Sequence, residues 1–174
     1  MTDEKVVVEI AGHISAISSL LGIEVTESNK DTPLRVAKMY CNELFANINN
    51  QNIGELNSKM KLFPAENCNP VTVDVPVNSS CEHHWLPFMG TVSVTYIPDK
   101  SIIGLSKIPR VVDFFSKKPQ LQERLTTEIG EYLVSIIEPK YLSVRITANH
   151  TCVSMRGAKS PCETTTVYEY GGAE

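Results

Sequence analysis

Residues 79–85 read SSCEHHW, so a thiol, a carboxylate and two imidazoles stand in a row, Cys81-Glu82-His83-His84. Cys81 and His84 are three apart, and a turn or the first turn of a helix can aim both at one point. Cys-x-x-His is half of a zinc site, although on these residues alone a buried cysteine beside solvated histidines competes with it. The stretch HTC at 150–152 supplies a second group. Read as a strand, it puts His150 and Cys152 on one face. Cys81, His84 and Cys152 then offer three ligands of the kind zinc takes, and no fourth stands at a comparable spacing. Three protein ligands with an open position are the pattern of catalytic rather than structural zinc. His83 and His150 stay free of the metal as an acid–base pair for hydrolysis near neutral pH. His13, the remaining histidine of four, is expected to do no chemistry. A deaminase-type zinc site needs His-x-Glu and a later Pro-Cys-x-x-Cys. Here Pro161-Cys162 runs on into Glu-Thr-Thr, which excludes it.

Basic residues recur where helices should begin. Arg35 and Lys38 follow Thr32-Pro33, with Thr32 as the expected N-cap. Lys107 and Arg110 follow Ser106, which is expected to cap the next helix. Cations there oppose the helix dipole by a few tenths of a kcal/mol each. Each pair is spaced i, i+3 and can share a face. An anion held by backbone N–H groups and these side chains accounts for both pairs. Arg156 adds a further cation four residues past Cys152. Metal, free imidazoles and a basic cluster together point to hydrolysis of a phosphorylated small molecule.

These groups need a frame. Val7, Ile10, Ile14, Ile17 and Leu21 predict an amphipathic helix over 4–22, and a second helix follows Pro33 and fades near Asn47. The polar stretch 49–58 reads as a loop. Strands are expected around 71–77, 91–96, 142–148 and 164–170, and helices over 107–117 and 119–137. Helices, strands, helices, strands in that order give an α+β class, with antiparallel strands and helices on one face. At 174 residues and 42% hydrophobic content, one domain is expected over 1–174, with N-terminal helices over 1–48 and a catalytic core over 70–172. The net charge of −4 gives no field for nucleic acid or an anionic membrane. No apolar run is long enough to span a bilayer, and the acidic N-terminus has no signal core. Five cysteines at irregular spacing favour thiols or metal ligands in a cytoplasmic setting.

The chain resembles the type I GTP cyclohydrolases. The resemblance rests on DTPLRVAKMYCNELF (31–45), SSCEHHWLPFMG (79–90), YIP (96–98), IGLSKIPRVVDFF (103–115), PQLQERLT (119–126) and HTCVSMRG (150–157). It implies a tunnelling fold, assembled as a homodecamer of two pentameric rings with active sites between subunits. It implies Zn2+ on Cys81, His84 and Cys152, with His83 and His150 as the catalytic histidines. Water activated at the metal would open the guanine imidazole ring of GTP at C8. His150 would act at the ring nitrogen, His83 at the ribose, and Ser106 in the later sugar rearrangement. The products would be formate and 7,8-dihydroneopterin triphosphate, the first step toward folate, other pterins or 7-deazapurines. Lys107, Arg110, Arg156, Arg35 and Lys38 match triphosphate-binding positions. Gln122 and Glu123 match the residues that hold the guanine edge, where a carboxylate facing N1–H and the 2-amino group would select against adenine.

Overall fold

Valines at 71, 73, 75 and 77 alternate with polar residues, and a strand built this way buries one face and solvates the other. The computed structural model describes residues 3–172. They run α1 (Glu4–Leu20), α2 (Thr32–Met39), α3 (Ile53–Ser58), β1 (Leu62–Pro64), β2 (Val71–Cys81), β3 (Pro87–Ile97), β4 (Ser101–Ile103), α4 (Lys107–Ser116), β5 (Pro119–Gln120), α5 (Gln122–Ile137), β6 (Tyr141–His150), α6 (Thr151–Ser154) and β7 (Glu163–Gly171). No helix among the described residues is long and apolar enough to cross a membrane. The chain divides after Ala46 into two compact units.

In the first unit α1 packs on α2. The Asp3 side chain caps α1 by accepting from the Lys5 N–H at 3.0 Å. Thr32 is the first residue of α2, not its cap: Asp31 holds that position, and its side chain makes no capping bond. A π-helical turn, Tyr40–Leu44, follows.

The second unit holds the sheet. Its strand order is β5-β2-β3-β6-β7, antiparallel except where β5 runs parallel beside β2 at Ser80 and Cys81. Val75, Val92, Ile146 and Thr166 lie abreast in this register. The row belongs to the face on which α4 covers β2, while α5 covers β6 and β7. Ile108, Val111, Leu125, Ile129 and Leu133 from the helices are fully buried with Val92, Val144 and Ile146 from the sheet. The opposite face is polar, carrying Thr91, Ser93, Arg145, Thr147 and Thr165. This is an α+β architecture, an antiparallel sheet with its helices on one face, as the expected tunnelling fold requires.

Two further expectations fail here. Residues 49–58 are not a plain loop: a 3-10 turn at Ile48–Asn50 leads into α3. Only Leu56 of α3 is buried, with Ile53 packed against the same core. Two anchors at i, i+3 hold one and a half turns, too few for a period to stand out from polar neighbours. Likewise Pro119–Gln120 is a two-residue strand rather than the start of α5, because its pairing partner lies in β2, far off in sequence.

Candidate active site

Cys81 ends β2, and the next five residues turn the chain into β3. The Cys81 N–H donates to the Leu86 carbonyl at 2.8 Å, and the Trp85 N–H donates back to the Cys81 carbonyl at 2.8 Å. The turn closes with Trp85 at φ 56, in the left-handed region that bulky residues seldom adopt. β5 clamps its other side, where the Glu82 N–H donates to the Gln120 carbonyl at 3.0 Å. The Glu82 carboxylate also pairs with Arg124 on α5.

Cys152 arrives from the other flank of β3. β6 ends at His150, and a single helical turn, α6, carries Cys152. His150 and Cys152 therefore do not share a strand face as the spacing suggests; the bend at Thr151 redirects the thiol. Thr151 Oγ1 donates to the Pro87 carbonyl at 2.5 Å, tying α6 to the residue that follows the turn. Cross-strand pairing of Phe88 with His150 fixes the same junction.

Ligand atoms of Cys81, His84 and Cys152 consequently lie within 4.8 Å of one another. Cys81 is buried, Cys152 half-buried and His84 exposed, so the cluster opens to solvent on the imidazole side. Burial, and then the neighbouring Cys81 thiol, push the Cys152 thiol up, while Arg156 opposes them. Two thiols converging in a half-buried site without a cation are an unfavourable place for a thiolate. A divalent ion reverses that preference, because a coordinating thiol is deprotonated outright. Two sulfurs and one imidazole suit zinc, and three protein ligands leave a position open.

His83 lies outside the cluster, with Nδ1 3.7 Å from Cys81 Sγ and Nε2 4.0 Å from a Glu82 oxygen. His150 Nε2 stands 2.8 Å from Gln122 Oε1. Its ring stacks on Phe88, with centroids 4.7 Å apart and planes 16° apart. Burial lowers the His150 pKa below its ordinary value, with Glu123 pulling the other way. Arg156 reaches the same three-residue group: its Nη1 donates to His84 Nε2 at 2.6 Å. A guanidinium only donates, so that nitrogen holds its lone pair, and a metal bound there would displace Arg156.

The other candidates lie on other elements. Ser106 occupies the N-cap position of α4, as expected, but its side chain makes no capping bond. Lys107 and Arg110 lie in the next turn, with no acidic residue in that turn. Arg35 and Lys38 are on α2 in the N-terminal unit, where Arg35 stands 3.6 Å from Asp31. Lys38 falls in the last turn of α2 rather than the first, where its charge favours the dipole. Glu123 is exposed, whereas Gln122 beside it is only 2% exposed. Sequence reasoning passed over Arg124, Thr151 and Phe88. A threonine and a phenylalanine near a strand end read as ordinary packing, and an arginine on an amphipathic helix reads as solvated.

The family model for GTP cyclohydrolase I matches residues 10–174. The chain belongs to the GTP cyclohydrolase I family. It is 40% identical over 168 residues to GTP cyclohydrolase 1 of Salmonella choleraesuis, covering 94% of this chain and 73% of that protein. It is 41% identical over 165 residues to the enzyme of the same name from Wigglesworthia glossinidia brevipalpis, covering 94% and 76%. Among solved structures, the crystal structure of the archaeosine synthase QueF-Like in the apo form has a TM-score of 0.48 and 23% identity, covering 60% of this chain and 96% of that one. Membership of the family makes the chain an enzyme and GTP its substrate.

Proposed function

We propose that this chain converts GTP and water to formate and 7,8-dihydroneopterin triphosphate, with zinc on Cys81, His84 and Cys152. The observation that carries the reading is the convergence of those ligand atoms within 4.8 Å, with two further imidazoles beside them, in a chain of this family. Zinc held there supplies Lewis acidity that makes a nucleophile from water at neutral pH. His150, whose pKa burial lowers, takes and returns a proton at the guanine imidazole nitrogen as the ring opens. His83, more exposed, serves at the ribose, and Ser106 in the rearrangement of the sugar. Glu123 accepts from N1–H and the 2-amino group of guanine, and the Gln122 position flanks it. Lys107, Arg110, Arg156, Arg35 and Lys38 hold the triphosphate.

These cations come from α2, from α4 and from the segment after α6. Active sites between subunits of a homo-oligomer, a decamer in this reading, would let them converge. In support, no strand pairs with the outer side of β7 among the described residues, and such an edge is a ready place for a second copy. In this reading the protein is a cytoplasmic enzyme at the start of folate, other pterin or 7-deazapurine synthesis.

The test is turnover of GTP by zinc-replete protein, followed by dihydroneopterin absorbance and by formate, before and after chelation. One formate per GTP, lost with the metal and restored by zinc, is the expected result. A flat trace from zinc-replete protein would sink the reading and leave a silent zinc scaffold. GTP should outrun dGTP in net conversion to the dihydropterin, since the sugar rearrangement uses the 2′-hydroxyl.

A further inference from the structure

We infer that the Gln122 side chain is a positioning residue for His150, holding that ring in one tautomer, rather than a contact to the purine. The inference rests on the proposed function for His150, and starts from which way the Gln122 amide must face. Its Nε2 lies 2.8 Å from the Thr164 carbonyl, 3.0 Å from the Ile146 carbonyl and 3.2 Å from Thr166 Oγ1. Two carbonyl oxygens can only accept, so the amide nitrogen belongs on that side; the flipped amide would set oxygen against oxygen.

The threonine contact agrees. Thr126 Oγ1 spends its hydrogen on the Gln122 carbonyl at 2.7 Å. Thr166 Oγ1, 2.6 Å from Thr126 Oγ1, must therefore donate to it, which leaves Thr166 lone pairs for the Gln122 amide.

With its nitrogen committed to the strands, the amide presents only Oε1 to His150. An acceptor at 2.8 Å from Nε2 requires the proton on that nitrogen. In the neutral ring Nδ1 then carries the lone pair, as a base must. Phe88 stacked on one face fixes the plane of the ring. Because Gln122 is 2% exposed, with both amide hydrogens used inside the chain, reaching a purine would mean breaking buried hydrogen bonds. That is a costly exchange.

The test compares Gln122→Met with the wild type in zinc-replete protein. Loss of the acceptor should cut kcat by about 10–100-fold, the usual range for a supporting hydrogen bond behind a site, with KM for GTP within about twofold. A raised KM with kcat intact would overturn the inference in favour of a purine contact. If Gln122→Met fails to fold or to hold zinc, Thr166→Val takes its place. It keeps the branched shape and loosens the amide, and should give a smaller fall in kcat at unchanged KM; no fall would count against the inference. A second readout needs no substrate. In 15N-histidine NMR, the His150 ring, identified by its absence from His150→Asn, should show the Nε2–H pattern in the wild type and a mixture in Gln122→Met. The opposite tautomer in the wild type would also overturn the inference. Wild-type protein that is inactive on GTP yet has the Nε2–H pattern would instead refute the functional reading alone.

Discussion

Gly130 sits in the middle of α5 where that helix crosses β7, and it is the residue on which the seating of the helix can be tested. A Cβ added there would stand 2.1 Å from Cδ1, 2.6 Å from Cε1 and 2.6 Å from Cγ of Tyr168. Carbon atoms at rest sit about 3.5–4.0 Å apart, so the ring or the helix must retreat by about 1 Å or more. Turning the ring about the Cβ–Cγ bond does not help, because Cγ lies on that axis and is itself too close. Relief has to come from the Tyr168 χ1 angle or from the backbone of β7, which is paired along its length with β6.

Overpacking of this kind costs about 1–3 kcal/mol, and the immobile Cγ argues for the upper end. Alanine in a helix interior returns about 1 kcal/mol relative to glycine. Gly130→Ala should therefore destabilise by about 2 kcal/mol, and at about 2–4 °C per kcal/mol lower the Tm by about 4–8 °C. Calorimetry of zinc-replete protein reads this directly. Repeating it on a Tyr168→Ala background isolates the contact: there Gly130→Ala should raise the Tm, since only the helix preference of alanine remains. A variant as stable as the wild type, or equal losses on both backgrounds, would show that α5 does not rest on Tyr168.

Cys152→Ser should lose zinc and turnover together, as metal analysis of the purified variant will show, because it removes one of three ligands. His150→Ala should retain about one zinc per chain and lose ring opening; an emptied metal site would mean that His150 ligates. Lys118 is 12% exposed and donates to Glu128 at 2.8 Å and to Asn50 at 2.9 Å. Lys118→Met should thus cost about 2–3 kcal/mol in urea unfolding. Lys59→Met, which breaks the exposed pair with Glu55, should cost under about 1 kcal/mol. Equal effects would contradict the burial difference. Glu82→Gln, which removes the charge facing Arg124 across a half-exposed pair, should change stability by under about 1 kcal/mol and keep the metal.

The grouping of Cys81, His84 and Cys152 is legible because metal-ligand chemistry admits few residue types. Two thiols and an imidazole at short spacings remain conspicuous whatever the backbone does between them. The backbone was less legible. The spacing puts Cys152 beside Cys81 and His84 because it follows His150 by two in a strand, yet it reaches them from a helical turn that begins where the strand stops. The three side chains meet, but for a different geometric reason. What decides that geometry is Thr151 reaching the Pro87 carbonyl, 64 residues away in sequence, and no local pattern encodes such a bond.

Gln122 marks the same boundary from the other side. A polar residue at the start of an amphipathic helix reads as solvated, or, by resemblance, as a contact to the substrate. Only the register of β6 and β7 puts the carbonyls of Ile146 and Thr164 beside it. The first residue of α5 thereby becomes a buried link between the sheet and His150. Residue type thus announced which groups could do chemistry, while strand pairing set which atom of each group is free to do it. On His150 the two meet in one ring: its identity offers the base that the proposed reaction needs, and a hydrogen bond to Gln122, 28 residues away, selects the nitrogen that would act.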